Sequence, residues 1–225
     1  MNKILCILPI SINIFGNSKL NEKQESVINT RLEQFKKGID KFIEFNEKYI
    51  NSKKIEVILI DNTIDGGTLP KILLDIIPEK IKIITCLKNE YGSKNKGSGL
   101  IDQWIYLKKE IKNYDYLIHF EPRQLLINNN LISSFMKNNR NLFTINKNKR
   151  APKNFNTGLF CINTKILINF INLYSPFYLF RNKISFEYLI YNYFNDNKID
   201  FDTIDKMGLI RFVGCMGNKF KAIKM

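Results

Sequence analysis

Apolar residues recur along this chain in two forms, short unbroken runs and longer stretches with helical spacing. Lys3–Ile12 (KILCILPISI) is an unbroken run, the mark of a strand covered on both faces, and a Gly16-Asn17 turn follows it. From Gln24 to Tyr49 the apolar positions Val27, Ile28, Leu32, Phe35, Ile39, Phe42, Ile43 and Phe45 fall close to helical spacing and predict one long amphipathic helix. Lys54–Asp61 (KIEVILID) is a second strand, ending in an acid. An Asp65-Gly-Gly67 turn and a short helix from Thr68 to Ile77 come next, with Pro70 near the first helical turn. Lys80–Leu87 (KIKIITCL) predicts a third strand, and a polar loop, Lys88–Gly99, leads to a helix from about Leu100 to Ile111. A fourth strand lies in YDYLIHFEPRQLL (114–126), which stops at Glu121-Pro122-Arg123.

Strands that alternate with helical crossovers imply a parallel sheet with helices on both faces. Ligands of such sheets sit beyond the C-terminal strand ends, near the point where strand order reverses. Asp61 and Glu121 both fall at such ends. The second half changes character: a short helix at Asn128–Asn138, strands at Asn141–Asn146 and Phe155–Asn163 (FNTGLFCIN), helices at Thr164–Tyr174 and Ile184–Phe194, and a last strand at Gly208–Gly214. No repeat or linker interrupts the series, so the expectation is one mixed α/β domain over residues 1–225, with a central, mostly parallel sheet flanked by helices.

At 225 residues the chain can bury about 70% of the surface its unfolded form exposes. Its 35 Lys+Arg against 21 Asp+Glu give a net charge of +14, which attracts anions: nucleic acid, an acidic membrane surface or a phosphorylated substrate. The lysines are scattered, with only short clusters at Lys147–Arg150 and Lys219–Lys221. That spread argues against a nucleic-acid partner and is equally what biased codon usage produces. Cys6, Cys86, Cys161 and Cys215 form no CxxC and read as reduced thiols of a cytoplasmic protein. The single histidine, His119, has no His or Cys neighbour to suggest zinc, and a core position suits it best. The run Ile4–Ile14 is shorter than the ~20 apolar residues a membrane span needs and reads as a first strand.

Four segments, in order, resemble the GT-A glycosyltransferases, Rossmann-like enzymes that use a nucleotide-sugar donor. They are KILCILPISIN at the opening strand, VILIDNTIDGG (57–67) at the second strand end, KNEYGSKNKGSGLIDQW (88–104) at an Asn/Gly-rich loop and helix, and FNTGLFCIN (155–163) at a glycine strand. The resemblance implies a sugar transferase acting on a nucleotide-diphosphate sugar and a hydroxyl of a glycan or lipid-linked saccharide. It assigns Asp61 and Asn62 to the nucleoside, and Lys94, Asn95, Lys96, Gly97 and Arg123 to the diphosphate. Gly158 goes to the sugar side, and Glu187, in KISFEYLIYNYF, becomes the base that takes the acceptor's proton.

In that family the fourth strand usually ends in Asp-any-Asp, holding a divalent metal on the diphosphate. Here the matching residues are Glu121-Pro122-Arg123. Glu121 can ligate Mg²⁺ or Mn²⁺ through oxygen. Arg123 cannot, but it can clasp phosphate in bidentate fashion. Blander roles stay open beside these: Asp61 also suits an Asx turn, Glu187 a favourable acid in a first helical turn capped by Ser185, and Glu121–Arg123 a strand cap. Rival functions are an inactive sugar-nucleotide binder, a sugar nucleotidyltransferase, a nucleic-acid-binding module and, for the basic surface, peripheral contact with acidic membrane.

Overall fold

In the computed structural model, residues 2–16, 19–64, 66–146, 152–213 and 221–224 are described. Asn17, Asp65, Cys215, Lys219 and the basic cluster Lys147–Arg150 therefore lie outside the described residues. The first half alternates β1 (Ile4–Ile10), α1 (Glu22–Asn51), β2 (Glu56–Asp61), α2 (Lys71–Leu74), β3 (Lys82–Thr85), α3 (Lys96–Tyr106), α4 (Lys108–Ile111) and β4 (Tyr116–Phe120). The second half comprises β5 (Leu125–Leu126), α5 (Asn130–Asn138), β6 (Leu142–Ile145), β7 (Phe155–Asn163), α6 (Thr164–Leu173), α7 (Pro176–Asn182), α8 (Phe186–Asp196), β8 (Asp202–Thr203), β9 (Leu209–Val213) and β10 (Lys221–Lys224).

Among the described residues, seven strands form the main sheet in the order β3-β2-β1-β4-β7-β6-β8, and β10-β9-β5 form a small second sheet. The strands β3, β2, β1 and β4 run parallel, whereas β7 is antiparallel to β4 and β6 antiparallel to β7. Chain order reverses between β1 and β4, so the residues that follow these two strands face one crevice.

The pleat sends alternate side chains into two separate cores. Ile4, Cys6, Leu8 and Ile10 of β1 pack with Phe35, Ile39 and Phe42 of α1. Leu5 and Ile7 face the other way, toward Trp104 of α3, Phe170 of α6 and Phe194 of α8. Both faces being apolar, the strand sequences read as continuous runs. No helix among the described residues is long and apolar enough to cross a membrane.

The structure departs from the sequence reading in several elements: the helix expected over about Leu100–Ile111 divides into α3 and α4, and the short strands β5, β8 and β10 were not expected. The helix expected over Thr68–Ile77 shrinks to Lys71–Leu74, because Pro70 can only begin it and Pro78 disfavours helix at Ile77. Helix α3 begins at Lys96 rather than near Leu100, because the Asn95 side chain caps it by accepting from Ser98 N at 3.2 Å. Helix α7 was not expected, although Ser175 caps it and Pro176 occupies its first turn.

Candidate functional site

A cleft of about 770 Å³ opens at the reversal point, between the ends of β1 and β4 and the starts of α3 and α8. Among the described residues its walls carry four cations, Arg31, Lys96, Arg123 and Lys183, and two carboxylates, Glu121 and Glu187. A smaller recess of about 150 Å³ shares Glu121 and Glu187 with it and is otherwise walled mainly by amides and hydroxyls, including Gln124, Asn146, Asn154 and Asn156.

The turn after β4 anchors the site. Glu121 N donates to Gly158 O at 2.8 Å, and Gln124 N donates to Glu121 O at 3.0 Å, closing a tight turn around Pro122. The Glu121 carboxylate accepts from Arg123 Nη2 at 2.9 Å on one oxygen and from Gln124 Nε2 at 3.0 Å on the other. Two glycines permit this packing. A Cβ on Gly158 would lie 2.2 Å from Gln124 Nε2, and one on Gly38 of α1 would lie 1.8 Å from the Pro122 carbonyl oxygen. Gly158, expected on the sugar side, lines the smaller recess and makes room for Gln124. Gln124 is buried, and its Oε1 has no partner among the described residues.

Asp61 and Asn62 are fully buried beneath the cleft rather than in its walls. Asp61 accepts from Ile12 N at 2.9 Å, and from Thr63 N at 2.6 Å and Thr63 Oγ1 at 2.7 Å. Burial holds its carboxyl above the usual range, and these donors offset that rise only in part. Asn62 donates to the carbonyls of Lys88 and Gly99, both at 2.9 Å, and accepts from Ser11 Oγ at 2.8 Å and Gln103 Nε2 at 3.0 Å. Together they tie the segment after β1 to the loop before α3 and to α3 itself. Arg31 grips the same segment, donating through Nε and Nη2 to the Ser11 carbonyl.

On the far wall, Asn95 Nδ2 donates to the carbonyls of Leu179 at 3.2 Å and Ile184 at 3.1 Å, joining α3 to the α7–α8 connection. Gly97 allows that closeness, since a Cβ there would meet Phe186 Cβ at 2.7 Å. Both residues line the cleft, as do Lys96, Arg123 and Glu187. Lys94 does not; it is exposed, with Nζ 5.4 Å from the centroid of the Phe180 ring. Ser185 accepts from Tyr188 N at 3.3 Å and starts α8, so Glu187 stands in that helix's first turn at the junction of cleft and recess. Arg31 and Lys183 were not singled out from sequence, and no local motif marks either.

His119 also lines the cleft, packed between Trp104 and Phe160, its Nδ1 without a partner among the described residues. Burial lowers its pKa to about 4, against a smaller opposing pull from Glu121, so the ring is neutral at pH 7.

A divalent metal finds a poor donor set here. Among the described residues no three His, Cys, Asp or Glu side chains converge. Glu121, the ligand expected from sequence, already has both oxygens engaged by Arg123 and Gln124.

Two solved structures share this architecture. A protein of Desulfovibrio desulfuricans G20 assigned as a nucleotide-diphospho-sugar transferase matches 91% of this chain and 80% of its own, with TM-score 0.55 and 7% identity. The glycosyltransferase GlyE of Streptococcus pneumoniae TIGR4 matches 91% of this chain but 45% of its own, with TM-score 0.51 and 11% identity. The fold is GT-A-like. At such identity the likeness is one of GT-A architecture, so the chemistry rests on the residues in the cleft. No protein-family model and no curated protein matches the chain.

Proposed function

We propose that this chain is a glycosyltransferase of the hexosyltransferase type, moving a sugar from a nucleotide-diphosphate donor to an acceptor hydroxyl. One observation carries the reading. In a GT-A-like fold, a cation-lined cleft and a polar recess meet at two carboxylates at the strand-order reversal.

Each part then has a task. The donor's diphosphate lies against Arg123 and Lys96, which Asn95 and Gly97 position by seating the start of α3. Asp61 and Asn62 shape the nucleoside side by holding the Ser11–Phe15 segment in place, and Lys94 at the rim adds charge outside the cleft. The recess beside Gly158 offers amides and hydroxyls to a polyhydroxylated ring, and the unpartnered Gln124 Oε1 would accept from one of its hydroxyls.

In the reaction the bond from the anomeric carbon to the diphosphate oxygen breaks, and the oxygen keeps the electron pair. The acceptor oxygen forms the new bond to that carbon, and its proton passes to Glu187. The cations meet the charge that develops on the leaving group.

The test is release of nucleoside diphosphate from UDP-, GDP-, CDP- and TDP-sugars, with mixed saccharide acceptors, by the wild type and Glu187→Gln. Acceptor-stimulated release that falls about 100-fold or more in the variant supports the reading. Binding of a donor with no turnover under any acceptor would leave a sugar-nucleotide binder in its place.

A further inference from the structure

We infer that the cleft receives the donor's diphosphate without a divalent metal, its charge being met by Arg123, Arg31, Lys96 and Lys183. The inference rests on the transferase reading above and adds how that site carries charge.

The donor chemistry points this way from two sides. A hard cation draws oxygen ligands, chiefly carboxylates. Among the described residues the cleft wall offers two, Glu121 and Glu187. Glu121 is the one on the turn after β4, and it accepts from a guanidinium at 2.9 Å and an amide at 3.0 Å. A metal on those oxygens would displace Arg123 or sit beside its positive charge, which it repels. The ion pair is also sheltered, with the Arg123 side chain 16% exposed and that of Glu121 33%.

The anion's side agrees. Among the described residues, four cations against two carboxylates leave the wall with a formal charge of +2, before any ligand enters. A guanidinium matches two phosphate oxygens at once through its rigid fork. Glu121 holds Arg123 in place for that contact, and the Glu121–Gln124 turn is in turn fixed by Gly38 and Gly158. Arg31, 8% exposed, is anchored to the Ser11 carbonyl on the opposite side, so the positive charge is distributed on rigid elements before the ligand arrives. Preorganised charge of this kind does for a leaving diphosphate what a metal does elsewhere. The remaining cleft titratable group, His119, is neutral at pH 7 and adds no charge.

The experiment is a calorimetric titration of the full chain with UDP, GDP, CDP and TDP, once in EDTA and once in Mn²⁺, on the wild type, Arg123→Ala, Arg123→Lys and Lys96→Ala. One nucleoside diphosphate is expected to bind the wild type equally in both buffers, within about threefold. Arg123→Ala should weaken it about 10–100-fold, and Arg123→Lys, which keeps the charge and loses the fork, by an intermediate factor. Lys96→Ala, exposed and outside the ion pair, tests the same charge without disturbing the turn and should weaken binding about 5–10-fold. Binding that requires Mn²⁺ and survives in Arg123→Ala would overturn the inference while leaving the transferase reading standing. No binding of any nucleoside diphosphate in either buffer would overturn both.

Discussion

Replacing Gly38 with alanine tests whether helix α1 fixes the turn that carries Glu121 and Arg123. A Cβ at this position would sit 1.8 Å from the Pro122 carbonyl oxygen and 2.7 Å from that of Gln124. Even a favourable C–H···O contact keeps carbon and oxygen about 3.3 Å apart, so helix or turn must move by about 1.5 Å. Both neighbours are backbone atoms in a turn fixed between β4 and β5, with no rotamer through which to yield. On an open helix surface the same change would add about 1 kcal/mol of stability through helix propensity. Here overpacking costs up to about 3 kcal/mol, so the net expectation is destabilisation by about 2 kcal/mol. A shift of that size at Arg123 should also weaken nucleotide binding by about tenfold or more. Urea unfolding of wild type, Gly38→Ala and Lys37→Ala reads the effect, Lys37 being an exposed neighbour on the same helix. A Gly38→Ala protein as stable as the wild type, with binding intact, would refute the packing argument.

His119 has a folded pKa of about 4 against 6.5 when unfolded, so the unfolded chain binds more protons between those values and stability falls as pH drops through that window. Lowering pH from 7 to 5 should cost the wild type about 2 kcal/mol more than it costs His119→Phe; equal changes in urea midpoints would contradict this. Asp102 behaves oppositely: burial first, then Glu90, raise its carboxyl to about 6, so its ionisation costs native stability as pH rises from about 4 to 6. Asp102→Asn should therefore stabilise the protein at pH 7 by about 1 kcal/mol, the full shift being discounted for solvent at a half-buried site, and a thermal melt no higher than wild type would count against it. Gly158→Ala should push Gln124 away from Glu121, lowering stability by about 1–2 kcal/mol and donor binding with it. Retention of both would show that Gln124 yields without cost.

The strands were legible because a sheet covered on both faces writes itself as unbroken apolar runs; Phe155–Asn163 was read to the residue. Helix α7 could have been read from its Ser175-Pro176 start, but at seven residues it shows too little periodicity to stand out. The site divides on a different line. Glu121, Arg123 and Glu187 reach the cleft because strand ends and a helix start dictate where they must lie. Arg31 and Lys183 were missed because nothing local says which polar residue of an amphipathic helix or helix end a distant strand will meet. Asp61 and Asn62 looked like ligand residues by type and position. Instead, the buried backbone of the surrounding loops needed donors and acceptors, and their side chains supply them. Gly38 carries no signal in the sequence, since only the tertiary structure reveals a carbonyl against it.

The most direct measurement is a crystal structure with a bound nucleoside diphosphate. Its phosphate oxygens are expected in the cleft, within hydrogen-bond distance of Arg123, with the recess beside Gly158 and Glu187 open to the sugar. Phosphates bound elsewhere on the basic surface, with the cleft holding only solvent, would contradict this.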